Sequence, residues 1–436
     1  LRRQPATLER IAELGVVGAG GAGFPTHVKL TAQVRTFIVN AAECEPLLHK
    51  DKELLHHFAP AVLDGLETAM QHTGAAEGII GIKEKYTEVI AALEPRLTAN
   101  LRIARLRDSY PAGDEFVLVH DVTGRVIPPG GLPRDVDCVV ANVETLLNIG
   151  LDRPVTHKYL TVGGAVREPV TLRVPVGTPI GDLIAAAGGA STDDFGVLLG
   201  GVMMGRLAPN LDEPVTKTLG GMIVLPKSHP MIRWYATGWP VQERIGRSAC
   251  DQCRFCTELC PRYLLGHPIE PHRAMQALGF TGGKAKLIAG TLYCCECNLC
   301  SLYSCPENLD PKNACVEAKP LARELGLRYT GPADAIQPHP LNNDRRAPMR
   351  RLMAKLGLTE FRNVGPLEDR LPPPRRVVLP LKQHAGAPAQ PVLTVGARVR
   401  TGDLLARPGA GALGACIHAS IDGTVTAIAD AVTINA

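Results

Sequence analysis

The sequence predicts a multidomain chain: α/β first, α+β next, then helical segments around cysteines, and a small β barrel or sandwich at the C-terminus. Three observations predict it. At 436 residues the chain exceeds what one hydrophobic core usually organises, so two to four domains are expected. Its texture changes several times along its length. Eight of its thirteen cysteines also recur at regular spacings between Cys250 and Cys305.

Residues 1–155 alternate Gly-rich turns, apolar strand-like runs at 37–42 and 137–143, and helical stretches such as 56–74. That alternation reads as α/β. Residues 156–230 hold two short strands, 158–166 and 170–177, and a helix at 180–189 that stops on a glycine pair, which suggests a β-grasp-like α+β unit. Residues 231–330 carry the cysteines among helical pieces such as 273–280 and 313–326. A connector rich in Pro and Arg follows over 331–373, with one helix expected at 347–358. Residues 374–436 read as short strands (377–383, 391–396, 398–406, 416–423, 424–429) joined by Gly turns.

Composition excludes several functions. A net charge of +4 with scattered Lys and Arg, and only 4% aromatics, argues against a nucleic-acid partner. No apolar run reaches the roughly eighteen residues of a transmembrane segment, and residues 1–15 lack the apolar stretch of a signal peptide. The chain begins with Leu1, and a natural start upstream of it is expected. An odd number of cysteines, grouped in this way, fits free thiols in a reducing, cytoplasmic compartment rather than a disulfide framework.

The cysteine runs carry the sharpest chemistry. Cys250, Cys253, Cys256 and Cys260-Pro261 have the bacterial ferredoxin spacing, in which the fourth cysteine serves the other cluster. Cys294, Cys297, Cys300 and Cys305-Pro306 repeat it with one extra residue before the last cysteine. Two [4Fe-4S] clusters are expected. Cys250, Cys253, Cys256 and Cys305 would hold one, and Cys294, Cys297, Cys300 and Cys260 the other. A pair of structural zinc sites is the alternative, and Cys295 competes with Cys294 as a ligand.

The segment Gly18-Ala-Gly20-Gly21-Ala-Gly23 matches GxGxxG, but a helix (8–15) precedes it instead of the strand a dinucleotide fingerprint needs. Five glycines among residues 15–23 still suit a backbone that closes on a phosphate. A plain surface turn is the other reading.

Several segments then resemble known families. Residues 15–30, 37–46 and 140–150 are similar to the FMN- and NADH-binding subunit of respiratory complex I. Residues 110–133 are similar to the C subunit of the Rnf electron-transport complex. Nearly the whole chain, most clearly 243–272 and 294–315, resembles the cobalamin (corrin) reductase family of propanediol-utilisation microcompartments. The resemblance implies a Rossmann-like FMN/NADH-binding domain, a β-grasp (SLBB-like) domain, a helical ferredoxin-like domain with two [4Fe-4S] clusters, and a C-terminal barrel-sandwich hybrid. It implies that Gly18, Gly20, Gly21 and Gly23 cradle FMN with Lys29 nearby. Asn40 and Asn142 would bond the flavin, with Thr145 beside them. Glu43 and Glu45 would lie at the flavin and NADH site, and Tyr110 with residues 113–115 would form another wall. Ala42 and Ala141 depart from the complex I pattern, which has an acid and an Asn there. Phe24 is either a nicotinamide-stacking ring or core, and Glu43 and Glu45 read alternatively as a solvated turn. The β-grasp unit is expected to be a spacer. Lys382 lies outside a carrier-type hairpin, so no swinging arm is expected.

The function implied is NADH-dependent electron transfer through FMN and the clusters, reducing cob(II)alamin to cob(I)alamin. Expected partners are cobalamin, a cob(I)alamin adenosyltransferase and microcompartment shell proteins, with location in the microcompartment lumen. The alternatives are an Rnf-type subunit passing electrons to membrane partners, or a ferredoxin-like relay without enzyme activity.

Overall fold

The computed structural model describes residues 5–332 and 335–436. Its N-terminal unit is built on a four-stranded parallel sheet of β1 (Thr36–Ala41), β2 (Glu77–Lys83), β3 (Leu101–Leu106) and β4 (Cys138–Asn142), in the order β3-β2-β1-β4. Its inner strands are continuous apolar runs because both faces are covered: Phe37, Ile38, Val39, Ile79, Ile80 and Ile82 are fully buried. The sequence reading missed β2 and β3. β2 (EGIIGIK) is a short apolar run with no alternation to separate it from a buried helix, and β3 (LRIARL) carries two arginines.

The helix expected at 56–74 begins earlier, as α2 (Lys50–Thr73), and bends at Phe58 ahead of Pro60. Its C-cap, Gly74, is left-handed at φ +65°, a conformation in which a side chain would be strained. α2 crosses α4 (Val143–Leu151) at backbone contact. A Cβ on Gly65 would lie 1.9 Å from the Leu146 carbonyl oxygen, and one on Gly150 1.9 Å from that of Ala61. These two glycines therefore fix how α2 and α4 lie together.

The α+β unit is a six-stranded mixed sheet ordered Leu367–Glu368, β6 (Val170–Pro175), β5 (His157–Gly164), β8 (Gly221–Pro226), β7 (Phe195–Leu199) and Arg206–Leu207, with helix α5 (Ile180–Ala186) over its core. One connector bridge, Leu367–Glu368, thus completes this sheet. The cysteine unit is helical, with α6 (Trp239–Ala249), α7 (Pro271–Ala277) and α8 (Pro311–Glu324) around the two runs. The connector helix α9 spans Met349–Lys355.

The C-terminal unit packs a four-stranded and a three-stranded sheet around Val377, Leu379, Leu405, Val425 and Ile434. The strand expected over 391–396 does not form beyond Gln390–Pro391, and that expected at 416–423 is confined to Ile417–His418. Turns take up the remainder, while Ala431–Asn435 supplies a strand the reading missed. No helix is long and apolar enough to cross a membrane among the described residues.

Candidate functional site

The glycine loop is set by its two ends. Helix α1 (Leu8–Glu13) runs into Gly15, left-handed at φ +68°, and Val17 then bridges Pro25. Gly18 N–H bonds the Phe24 carbonyl (2.9 Å), Gly23 N–H bonds that of Gly18 (3.2 Å), and Thr145 Oγ1 accepts from Ala19 N–H (3.0 Å). The N–H groups of Gly20, Gly21 and Ala22 have no protein partner among the described residues, and all three residues are exposed. Consecutive free amides on a tight loop form a nest that suits an anion. Gly21, at φ +123°, has nothing within 4 Å of where a Cβ would stand, whereas a Cβ on Gly20 would stand 3.4 Å from that of Asn142.

The nest lies beside Asn142 at the C-terminal end of β4, and ligands of open parallel sheets bind at the C-terminal ends of strands. There Asn40 Nδ2 donates to the Gly113 carbonyl (2.9 Å), and Lys29 Nζ donates to that of Val140 (2.9 Å), 3.6 Å from Glu115. Asn142 caps α4: its Oδ1 accepts from Glu144 N–H (3.0 Å) and Lys50 Nζ (3.3 Å), while Nδ2 donates to Asp51 (2.8 Å). Glu43 and Glu45 line a neighbouring cavity of about 170 Å³ with His49, Lys83 and Tyr86. Burial, helped by the charge of Asp51, pushes Glu43 up to about 8. Burial also raises Glu45, to about 7, although the N–H groups of Met203 (2.9 Å) and Met204 (2.8 Å) bond its carboxylate and pull the other way. Glu45 is thus engaged with the α+β unit. Phe24 is half-buried.

The two cysteine runs repeat in backbone as well as spacing. Gln252 and Arg254 take φ of 58° and 69°, and their counterparts Glu296 and Asn298 take 61° and 64°. Left-handed backbone is uncommon for residues other than Gly and Asn, and its recurrence aligns Cys250 with Cys294 and Asp251 with Cys295. Cys250, Cys253, Cys256 and Cys305 line one cavity with His272, Met275 and Leu309. Burial first, then the neighbouring thiols, raises Cys256 to about 12. The thiols of Cys260 and Cys300 are also pushed up, first by burial and then by nearby thiols, those of Cys294 and Cys295 about Cys260 and those of Cys294 and Cys260 about Cys300. Among the described residues no three His, Cys, Asp or Glu converge as a single metal ion requires. The four thiols that line the first cavity are the ligand type and number a [4Fe-4S] cluster takes.

The two halves meet in a dry junction. Tyr110, fully buried, donates its hydroxyl to the Cys297 carbonyl (2.6 Å). Arg262, two residues after Cys260, pairs with Asp114 at 2.8 Å with both side chains about nine-tenths buried, and its guanidinium stacks 3.5 Å from the Phe116 ring centroid. Asp114 also caps helix α3 (Glu115–Thr123). Tyr110 therefore faces the cysteine unit. The sequence reading did not single out Arg262, Glu144 or Lys158. For Lys158 the signal was a cation inside an otherwise apolar strand.

Comparison with known proteins matches four family profiles in succession: the Nuo51 FMN-binding domain over residues 11–151, the SLBB domain over 159–207, a 4Fe-4S dicluster domain over 249–310, and the RnfC barrel sandwich hybrid domain over 363–436. An FMN-binding domain joined to a 4Fe-4S dicluster domain places the chain among iron–sulfur flavoprotein oxidoreductases of electron transport. It is 46% identical to cobalamin reductase PduS of Salmonella typhimurium, over 98% of this chain and 95% of that one. It is 45% identical to cobalamin reductase PduS of Citrobacter freundii, over 97% and 94%. The C component of the Na(+)-translocating ferredoxin:NAD(+) oxidoreductase complex of Acetobacterium woodii is 36% identical, over 59% of this chain and 58% of that one. The chain belongs to the PduS cobalamin reductase family.

Proposed function

We propose that this chain is an NADH-dependent reductase that delivers single electrons to cob(II)alamin, forming cob(I)alamin. The observation that carries this reading is the buried junction, which joins the loop beside the proposed flavin crevice to the second cysteine run through Tyr110–Cys297 and to the end of the first through Asp114–Arg262. The kinship with cobalamin reductases supplies the acceptor.

In this reading the nest at Gly20–Ala22, framed by Gly18 and Gly23, takes the FMN phosphate, and Lys29 supplies a cation beside it. Asn40, Asn142 and Thr145 shape the crevice floor, and Glu43 borders the reductant's approach. Cys250, Cys253, Cys256 and Cys305 hold one [4Fe-4S] cluster, and Cys260, Cys294, Cys297 and Cys300 the other. The repeated left-handed residues favour Cys294 over Cys295, because Glu296 N–H bonds Cys294 Sγ (3.4 Å) where the Gln252 side-chain amide bonds Cys250 Sγ (3.3 Å). FMN supplies the conversion of a two-electron hydride into single electrons, and clusters accept electrons singly. One NADH yields NAD⁺, one proton and two electrons, which reduce two cob(II)alamin. The residues hold these groups, keep water from the Tyr110–Cys297 junction and tune potentials by burial and hydrogen bonds. The proposed setting is a microcompartment lumen among shell proteins, with a cob(I)alamin adenosyltransferase as receiving partner.

Anaerobically reconstituted protein, given NADH and then hydroxocobalamin, is expected to bleach a flavin spectrum and produce the cob(I)alamin spectrum. Bleaching without cob(I)alamin would contradict the acceptor. No bleaching would contradict the enzyme.

A further inference from the structure

We propose that the β-grasp unit is a structural wall of the flavin site rather than a spacer, and that Lys158 is the residue that positions the glycine loop. This rests on the FMN reading above.

Lys158 lies on β5 and is 1% exposed. Its Nζ reaches out of the β-grasp sheet to the Ala19 carbonyl (3.1 Å) and to Glu144. Ala19 is thereby held at both ends of its residue: the N–H by Thr145 on α4 and the C=O by Lys158 from the neighbouring unit. The next three amides are those of the nest, so their direction follows from how Ala19 is fixed.

The cation is part of a closed network. Glu144, fully buried, pairs with Lys158 and with Lys50 (3.3 Å), and its other oxygen accepts from Tyr159 N–H (2.9 Å). Lys50 also pairs with Asp51, which holds the Asn142 amide. Burial alone would lower Lys50, but the Asp51 and Glu144 carboxylates outweigh it and hold it above the ordinary lysine value. Two cations and two carboxylates thus cancel in a dry site, where an unmatched charge would be costly. A mere spacer would have no reason to carry that desolvation.

Other contacts converge on the same elements. Lys217 Nζ, buried, donates to the Gly15 carbonyl (2.8 Å). A Cβ on Gly23 would stand 2.9 Å from the Thr218 methyl. Glu45, on the loop after β1, accepts from Met203 and Met204. Each segment of the crevice that sequence motifs pointed to, apart from the 110–115 wall, is therefore held by the β-grasp unit.

The test is FMN titration of flavin-stripped holoprotein with intact iron, followed by fluorescence quenching, for wild type, Lys158→Met and Lys158→Met/Glu144→Gln. The double variant matches the charge change, and the side-chain carbonyl left by Glu144→Gln still accepts from Tyr159. Loss of a charged hydrogen bond that orders the nest is expected to raise the FMN Kd about tenfold in both variants. Iron content and cluster EPR should stay within error of wild type, which a general loss of folding would not allow, while the thermal midpoint should fall in Lys158→Met, where Glu144 loses one of its two cations, and recover in part in the double variant. An unchanged Kd in Lys158→Met overturns the proposal while leaving the FMN reading intact. A normal Kd restored in the double variant also overturns it, because the defect would then be an unmatched Glu144. Wild type that takes up no FMN overturns the reading beneath it.

Discussion

At the scale of single residues, what matters is which groups are left free and which are committed. The amides of Gly20, Gly21 and Ala22 have no partner among the described residues, whereas Asn142 commits its side chain to capping α4 and holding Asp51. Gly20→Val would place branched carbons against Asn142, whose Cβ already stands 3.4 Å from a simple Cβ at that position. FMN occupancy should fall at least tenfold, measured by flavin released on denaturation, and normal occupancy would move the phosphate elsewhere. Cys253→Ala takes one thiolate from one of the two proposed clusters, so iron per chain should fall by about half while FMN stays. Full iron content would rule out Cys253 as a ligand. The cysteine spacings were legible because ligand geometry is written locally. The choice between Cys294 and Cys295 was not, and the left-handed backbone at Glu296 and Asn298, on which the proposal of Cys294 rests, has no signal in the spacing.

At the scale of elements, the chain is organised by close approaches. Gly65 and Gly150 let α2 and α4 touch backbone to backbone, which brings Lys50 and Asp51 beside Asn142 and Glu144. The Glu115–Thr123 helix is tied at its N-terminus to the cysteine unit through Asp114 and Arg262. Arg262→Met would leave a buried carboxylate without its partner, a change that costs about 3 kcal/mol or more. A clear drop in the thermal midpoint is expected, and a midpoint equal to wild type would show that the pair is not what locks the units. Tyr110→Phe removes only the bond to the Cys297 carbonyl, so about 1 kcal/mol of stability should be lost. One of the two cluster EPR signals should shift with it, and two unshifted signals would separate Tyr110 from the cluster environment. Strands with apolar runs between turn signals, such as β1, β4 and β5, were readable. Strand β3 was not, because arginines at 102 and 105 disguise an edge whose polar side chains point to solvent. In the barrel, Gly turns were readable but strand lengths were not, since bends such as that at 392–396 have the same composition as strands.

At the scale of the whole molecule, four units form one continuous support around the redox elements. The barrel takes part as well: Ala385 N–H bonds the Gly23 carbonyl (3.0 Å), and Lys217 N–H bonds Gln383 Oε1 (3.0 Å). Such cross-unit contacts have no local sequence signal, which is why the β-grasp unit read as a spacer. Burial between packed elements also shapes acid stability. His49, His267 and His418 are each more than nine-tenths buried, and burial lowers them to about 3, 4 and 3. Their neutral forms fit the fold, whereas the unfolded chain binds the proton near pH 6.5. This contribution is full above pH 6.5 and is lost as pH falls toward 4 and then 3, by at most about 1.4 kcal/mol per pH unit for each histidine. The urea midpoint should therefore decline between pH 6.5 and 4, and His267→Gln should flatten that decline. A midpoint constant over this range would contradict the buried neutral imidazoles.

Whether one chain joins a flavin site to two iron–sulfur clusters is decided by anaerobic EPR of the NADH-treated protein with iron and flavin counted in the same sample. About eight irons and one FMN per chain are expected, with cluster signals growing as the flavin absorbance bleaches. Zinc in place of iron, or clusters that dithionite reduces while NADH does not, would contradict it.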